Sequence, residues 1–200
     1  MRGRSTTPAR RPSAFSPTST RWRAWSRRGP AHIAPDDPRI ATAFTFSKTY
    51  AMTGWRLGYL SASDGLIDTV TKVLESNSSC VSTITQVAAE AALAGPQDCV
   101  TEMVGAYRRR RDLVAGILEE AELLIARPSG AFYIMADVSS AGLPAREFAF
   151  TFLRERGVSV APGTAFGREA GDAVRISLAS SDADLQEGVS RLAEFVHGRT

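Results

Sequence analysis

The sequence reads as an α/β protein, and three observations support that reading. Short β-prone apolar runs, such as AFTF at 43–46 and GAFYIMADV at 130–138, alternate with longer stretches in which apolar residues recur at helical spacing. Alternation of this kind favours a sheet with helices packed on it. Apolar residues make up 44% of the chain and charged residues 22%, an ordinary globular balance, and no apolar run reaches the roughly 18 residues a membrane span needs.

The first 38 residues stand outside this pattern. They are Arg, Pro, Ser and Thr with isolated Trp22 and Trp25 and neither a strand nor a helix period. Such a segment buries too little apolar surface to offset its ordering entropy, so disorder is expected. Residues 1–39 hold nine arginines and two acids, a charge of +7, while the remaining residues carry −4. The high pI, about 9.2, therefore belongs to the head. Three readings of it stay open: an Arg- and Ser-rich targeting peptide, a nucleic-acid tail with arginines for phosphates and tryptophans for stacking, and GC-rich coding sequence translated out of frame. Twenty-two arginines against two lysines favour the last.

In chain order, 40–47 reads as a buried strand and 57–62 as another, with a turn between them. Asp64 caps a helix running to about 77, with Leu66, Ile67, Val70, Val73 and Leu74 on one face. A hydroxyl-rich stretch, 76–86, leads into a second helix at 84–93. Pro96 starts a long helix to about 121, whose apolar stripe includes Val104, Tyr107, Val114 and Leu118. Arg108 to Arg111 are consecutive and so point to every side of that helix, which predicts ion pairs and solvent rather than a nucleic-acid stripe. The last third reads as a strand at 130–138, a helix at 144–156, a short strand at 158–161, another at 173–179, and a closing helix at 182–196 with Asp182 as its N-cap. Cys80 and Cys99 have neither metal-ligand spacing nor a disulfide framework, which fits a reducing cytoplasm.

The stretch FTFSKTYAMTGWRLGY, 44–59, holds the chemistry. Lys48 is one of only two lysines, kept where the chain otherwise uses arginine. Arginine stays protonated, whereas a desolvated lysine amine can lose its proton and attack a carbonyl. The hydroxyls of Thr45 and Ser47, the Arg56 guanidinium and the turn backbone at Gly54 are donors suited to a phosphate held near that amine. The plainer reading of a lone lysine in such a place is a solvated loop residue.

The run SKTYAMTGWRLGY resembles the pyridoxal-phosphate attachment motif of the class I/II (fold-type I) aminotransferases, in which an arginine eight residues after the lysine grips the cofactor phosphate; Lys48 and Arg56 stand at that spacing. SGAFYIMADV, GVSVAPGTAFG and DAVRISLA resemble the C-terminal domain of the same family. The resemblance implies that Lys48 carries pyridoxal 5'-phosphate and then serves as general base, and that Arg56, Thr45 and Ser47 are cofactor ligands. At the place of Thr45 the family more often has Ser or Gly. By the same resemblance Arg175 is the two-pronged ligand of the substrate α-carboxylate; its plainer reading is a structural ion pair. Gly163 and Gly167 bound a loop that approaches the substrate or is simply a turn, and Phe132 lines the pocket or belongs to the core.

The implied reaction is transamination of an amino acid with a 2-oxo acid, in a cytoplasmic protein that is homodimeric at full length and has no membrane or nucleic-acid partner. The implied organisation is a disordered, frame-shifted or non-native head at 1–38, the C-terminal part of the cofactor-binding large domain at 39–105, and a linking helix with the α+β small domain at 106–200. The family's chains are longer, and neither the acid that pairs with the pyridinium nitrogen nor the ring-stacking aromatic is found here. Little or no turnover by this chain is therefore expected. A pyridoxal-phosphate-dependent carbon–sulfur lyase or cyclopropane-carboxylate synthase would share every motif. The aminotransferase-like domain of a transcription regulator would need a winged-helix module upstream, and a non-functional remnant would need no ligand.

Overall fold

The computed structural model describes residues 37–198. The disorder expected of 1–38 thus falls, but for Asp37 and Pro38, outside the described residues. The chain divides into two compact units between Gly95 and Pro96. The sequence-based boundary, 105/106, lies inside the long helix that opens the second unit. A helix is one continuous hydrogen-bond ladder and is not a natural place to divide a chain.

The first unit begins with two antiparallel strands, β1 (Thr42–Thr45) and β2 (Gly58–Ser61), paired so that Thr45 faces Gly58 and Phe44 faces Tyr59. Phe44 and Tyr59 stack with centroids 4.8 Å apart. A Cβ on Gly58 would stand 2.4 Å from the Phe44 carbonyl oxygen, so this approach of the strands needs glycine. β1 is shorter than the expected strand and alternates between half-buried and exposed, because the chain leaves it at Phe46 for a one-turn helix, α1 (Phe46–Thr49). Phe46 and Met52, with Ala89, make a small core, edged by Tyr50, Leu57, Tyr59 and Leu93.

Two helices follow, α2 (Asp64–Asn77) and α3 (Thr83–Ala94). The cap position of α2 is Ser63, with Asp64 in the first turn beside the helix N-terminus. Its expected apolar face is present but not buried: Val70, Val73 and Leu74 are exposed, and α2 has no buried residue.

The second unit comprises α4 (Asp98–Glu120), β3 (Tyr133–Asp137), α5 (Ala145–Arg156), β4 (Ala161–Pro162), β5 (Ala173–Ser177) and α6 (Asp182–His197). Its sheet has the order β3-β5-β4 and both pairings are antiparallel. Ile134 and Ala136 of β3 and Val174 and Ile176 of β5 are buried, whereas Tyr133, Met135 and Arg175 between them are half-buried. Strand alternation therefore turns one face of the sheet to the core, where Val114, Leu118, Phe148, Phe152, Leu192 and Phe195 meet it. Phe195 packs against Phe148 and Phe152 with centroids 5.4 and 5.3 Å away. Each fully buried ring of this size contributes about 1.5–3 kcal/mol through burial.

Two local readings change in this unit and a third holds. Of the expected strand 158–161 only Ala161 pairs with β5, and the pairing runs on to Pro162. Ser181, not Asp182, caps α6, its hydroxyl accepting the Asp184 N–H at 3.1 Å. The arginine run does form ion pairs: Arg110 with Asp182 at 2.8 Å and Arg111 with its neighbour Asp112, while Arg108 and Arg109 are exposed. No helix among the described residues is long and apolar enough to cross a membrane.

Candidate active site

Four of the five expected site residues lie in the first unit, three of them where the end of β1 turns into α1. Thr45 keeps extended backbone and caps that turn: its Oγ1 accepts the Ser47 N–H at 3.1 Å. It also donates within reach of Ser47 Oγ, at 3.0 Å, and of the Leu57 carbonyl, at 3.4 Å. The Leu57 carbonyl in turn accepts the Phe46 N–H at 3.3 Å, which closes the base of the segment 46–57. Sequence reading placed Ser47 in a strand and Lys48 in a loop; both belong to the helical turn. Phe46, the only buried residue of α1, anchors the turn, and Lys48, on the same single turn, is exposed.

Arg56 follows a 3-10 turn (Thr53–Trp55) and has left-handed backbone, φ +52 and ψ +53. For a residue with a side chain that conformation costs about 1–2 kcal/mol, and such strain collects at functional sites. Its Nη1 donates to the Thr53 carbonyl at 2.8 Å. One donor of the fork is thereby used to fix the side chain, and Arg56 is exposed. The structure brings Thr45, Ser47 and Lys48 into one turn, while Arg56 bonds to its own preceding turn rather than to either hydroxyl. One amine, two adjacent hydroxyls and a guanidinium tied back through one nitrogen form a donor set that fits a phosphate-bearing aldehyde. Tyr59, below the turn, has its phenol pushed well above its ordinary value by burial, the Tyr50 phenol adding to the shift.

Arg175 lies in the second unit, on the central strand β5, opposite Met135 of β3 and Ala161 of β4. Among the described residues no carboxylate pairs with it, which sets aside the structural ion pair within that span. Its guanidinium carbon instead lies over two rings, 3.9 Å from the Tyr133 centroid and 4.1 Å from the Phe166 centroid. Tyr133 is the diagonal neighbour of Arg175 on the same face of the sheet, within reach of a long side chain. Phe166 arrives from the 3-10 turn Gly163–Phe166 that follows β4. Neither ring was singled out from sequence. The period-two pattern of FYIMAD does put Tyr133 on the face opposite Ile134, but only the register aligns it with Arg175. Gly163 is where the loop packs tightest, since a Cβ there would stand 2.0 Å from the Ala170 carbonyl oxygen. Gly167, at φ +133, has backbone open essentially to glycine alone. Phe132 lies against the second core and contacts Tyr107 and Tyr133.

Solved structures share this architecture. The aromatic aminotransferase from Pyrococcus horikoshii superposes with a TM-score of 0.75 at 40% identity, over 81% of this chain and 44% of that one. A double mutant of Thermus thermophilus aspartate aminotransferase gives 0.75 at 36%, over 83% and 43%. The fold is thus that of the fold-type I aminotransferases, in part. The family model for aminotransferase class I and II matches residues 13–192, and the chain belongs to that family. The match begins inside the 1–38 head. Among curated relatives, aromatic-amino-acid aminotransferase 2 of Thermococcus litoralis is 40% identical and aspartate aminotransferase of Pyrococcus abyssi 41% identical, each over 160 residues. The chain spans 41% of the length of either relative, and the match covers 79% of the chain.

Proposed function

We propose that this chain supplies the lysine, phosphate-binding and carboxylate-binding groups of a pyridoxal-phosphate-dependent transamination between an amino acid and a 2-oxo acid. The observation that carries the proposal is the presence in one chain of this family of both the Lys48–Arg56 turn and, separately, an Arg175 that has no carboxylate partner among the described residues. Lys48 would hold the cofactor through its amine and, once released, move the proton at the substrate Cα. Thr45, Ser47 and Arg56 would hold the phosphate, the guanidinium contributing a charge-assisted bond. Arg175 would receive the substrate α-carboxylate along the edge of its planar fork. When bound, the cofactor supplies the electron sink for chemistry at Cα. The homodimer of the full-length family belongs to the same proposal.

Lys72 makes the test clean. It is the only other lysine and lies exposed on α2, so it reports nonspecific reaction with an aldehyde. After addition of pyridoxal phosphate and borohydride, peptide mapping is expected to find the adduct chiefly on Lys48, with a visible absorption band that Lys48→Ala abolishes and Lys72→Arg leaves. Equal labelling of the two lysines would refute a built cofactor site.

A further inference from the structure

We propose that Phe166 and Tyr133 are positioning residues that make Arg175 an edge-on receptor, selecting planar carboxylates over tetrahedral oxyanions. The inference rests on the reading of Arg175 as the ligand of the substrate carboxylate. Ring centroids 3.9 and 4.1 Å from the guanidinium carbon are too close for an N–H to point into either ring, so each ring lies against the flat face of the guanidinium. Approach along the normal to the guanidinium plane is closed by carbon where the rings lie. The N–H edge remains, and among the described residues no acceptor is bonded to it.

Two oxygens of a carboxylate lie in one plane and can meet that edge together. A sulfonate or phosphonate carries a third oxygen out of the plane, which must press toward a ring or tilt the pair and lose one hydrogen bond. Stacking also holds the fork still, so little rotamer freedom remains to be lost on binding. The two rings are placed by different means. Tyr133 is set by the β3–β5 register, whereas Phe166, 48% exposed, is set by a loop held between Gly163 and Gly167. Phe166 is thus the removable half of the clamp.

The experiment uses the whole 200-residue chain, isotope-labelled, with NMR signals of the Arg175 side chain and nearby amides followed in titrations with acetate and with methanesulfonate at constant ionic strength. Both probes are small monoanions that differ in shape. The unaltered chain is expected to prefer acetate by about fivefold, the worth of one hydrogen bond. Phe166→Leu should bring the preference close to unity without unfolding the chain, since the ring is half exposed. Phe166→Tyr and Tyr133→Phe should keep the preference, because each leaves a ring face in place. An unaltered chain without preference, or a Phe166→Leu chain that retains it, overturns the positioning role. If acetate still shifts the neighbouring amides in Arg175→Ala, the reading of Arg175 as a carboxylate ligand fails instead.

Discussion

Ser47 donates its backbone N–H to Thr45 Oγ1 at 3.1 Å, and the two hydroxyl oxygens lie 3.0 Å apart. One threonine therefore ends β1, caps α1 and orients the hydroxyl beside Lys48. Thr45→Ala should destabilise the turn by about 1 kcal/mol, the usual worth of an N-cap, and Thr45→Ser should largely restore it. Amide exchange at Ser47 reads this directly: it should speed up in Thr45→Ala and stay near its original rate in Thr45→Ser.

Arg56 offers a way to separate phosphate recognition from reaction at the amine. Arg56→Ala should weaken pyridoxal phosphate binding about tenfold or more, the worth of one hydrogen bond to a charged group. Binding of pyridoxal, which lacks the phosphate, should hardly change. A parallel loss for both compounds would mean that Arg56 supports the turn and not the phosphate. Its left-handed backbone makes Arg56→Gly the informative control, since glycine keeps that conformation without strain.

Alkaline stability should depend on Tyr59. Burial holds its phenol above the ordinary 10.0, with Tyr50 adding to the effect. At pH values between the unfolded and folded pKa, the folded chain keeps a proton that the unfolded chain has lost. The tyrosine's contribution is therefore complete below about pH 10 and declines as pH rises beyond it. Urea midpoints measured from neutral pH upward should show this fall, and Tyr59→Phe should flatten it.

The second unit's core is a separate target. Phe148 is fully buried and touches both Phe152 and Phe195. Phe148→Ala should cost about 3–5 kcal/mol, through lost burial and the cavity left behind. Chemical denaturation followed by far-ultraviolet circular dichroism would record it, and a change below 1 kcal/mol would contradict the packing described.

Much of this fold was legible because it rests on periodicity. The six residues of AVRISL alternate cleanly enough to mark β5, and the stripe of Val114 and Leu118 marks α4. Cap positions slipped by one residue at Ser63 and Ser181, since Ser and Asp stand side by side at both starts and either can cap. The helical conformation at Phe46–Thr49 was missed because the apolar alternation of β1 runs through Phe46. Yet TFSK begins with a good capping residue, and Thr45 was the available signal. At the candidate site, Lys48, Arg56 and Arg175 were legible as residue types at telling spacings. Tyr133 and Phe166 were not, because their contact with Arg175 depends on strand register and on a loop that returns from β4, neither of which is a local property.

The apolar stripe of α2 bears on how the chain behaves in bulk solution. Val73 and Leu74 on α2, and Ile84 and Val87 on α3, stay wetted, from 46% to 75% exposed. Water ordered against these side chains is released when two chains meet there, a gain that grows on warming through the physiological range and with concentration. The second unit buries Phe148, Phe152 and Phe195 but leaves Ile125, Phe150, Leu153 and Phe166 between 43% and 57% exposed. Dye uptake, concentration-dependent light scattering and clouding on heating should thus draw on both units, and a polar substitution at Val73 or Ile84 should lower them in part while leaving the sheet around Arg175 undisturbed.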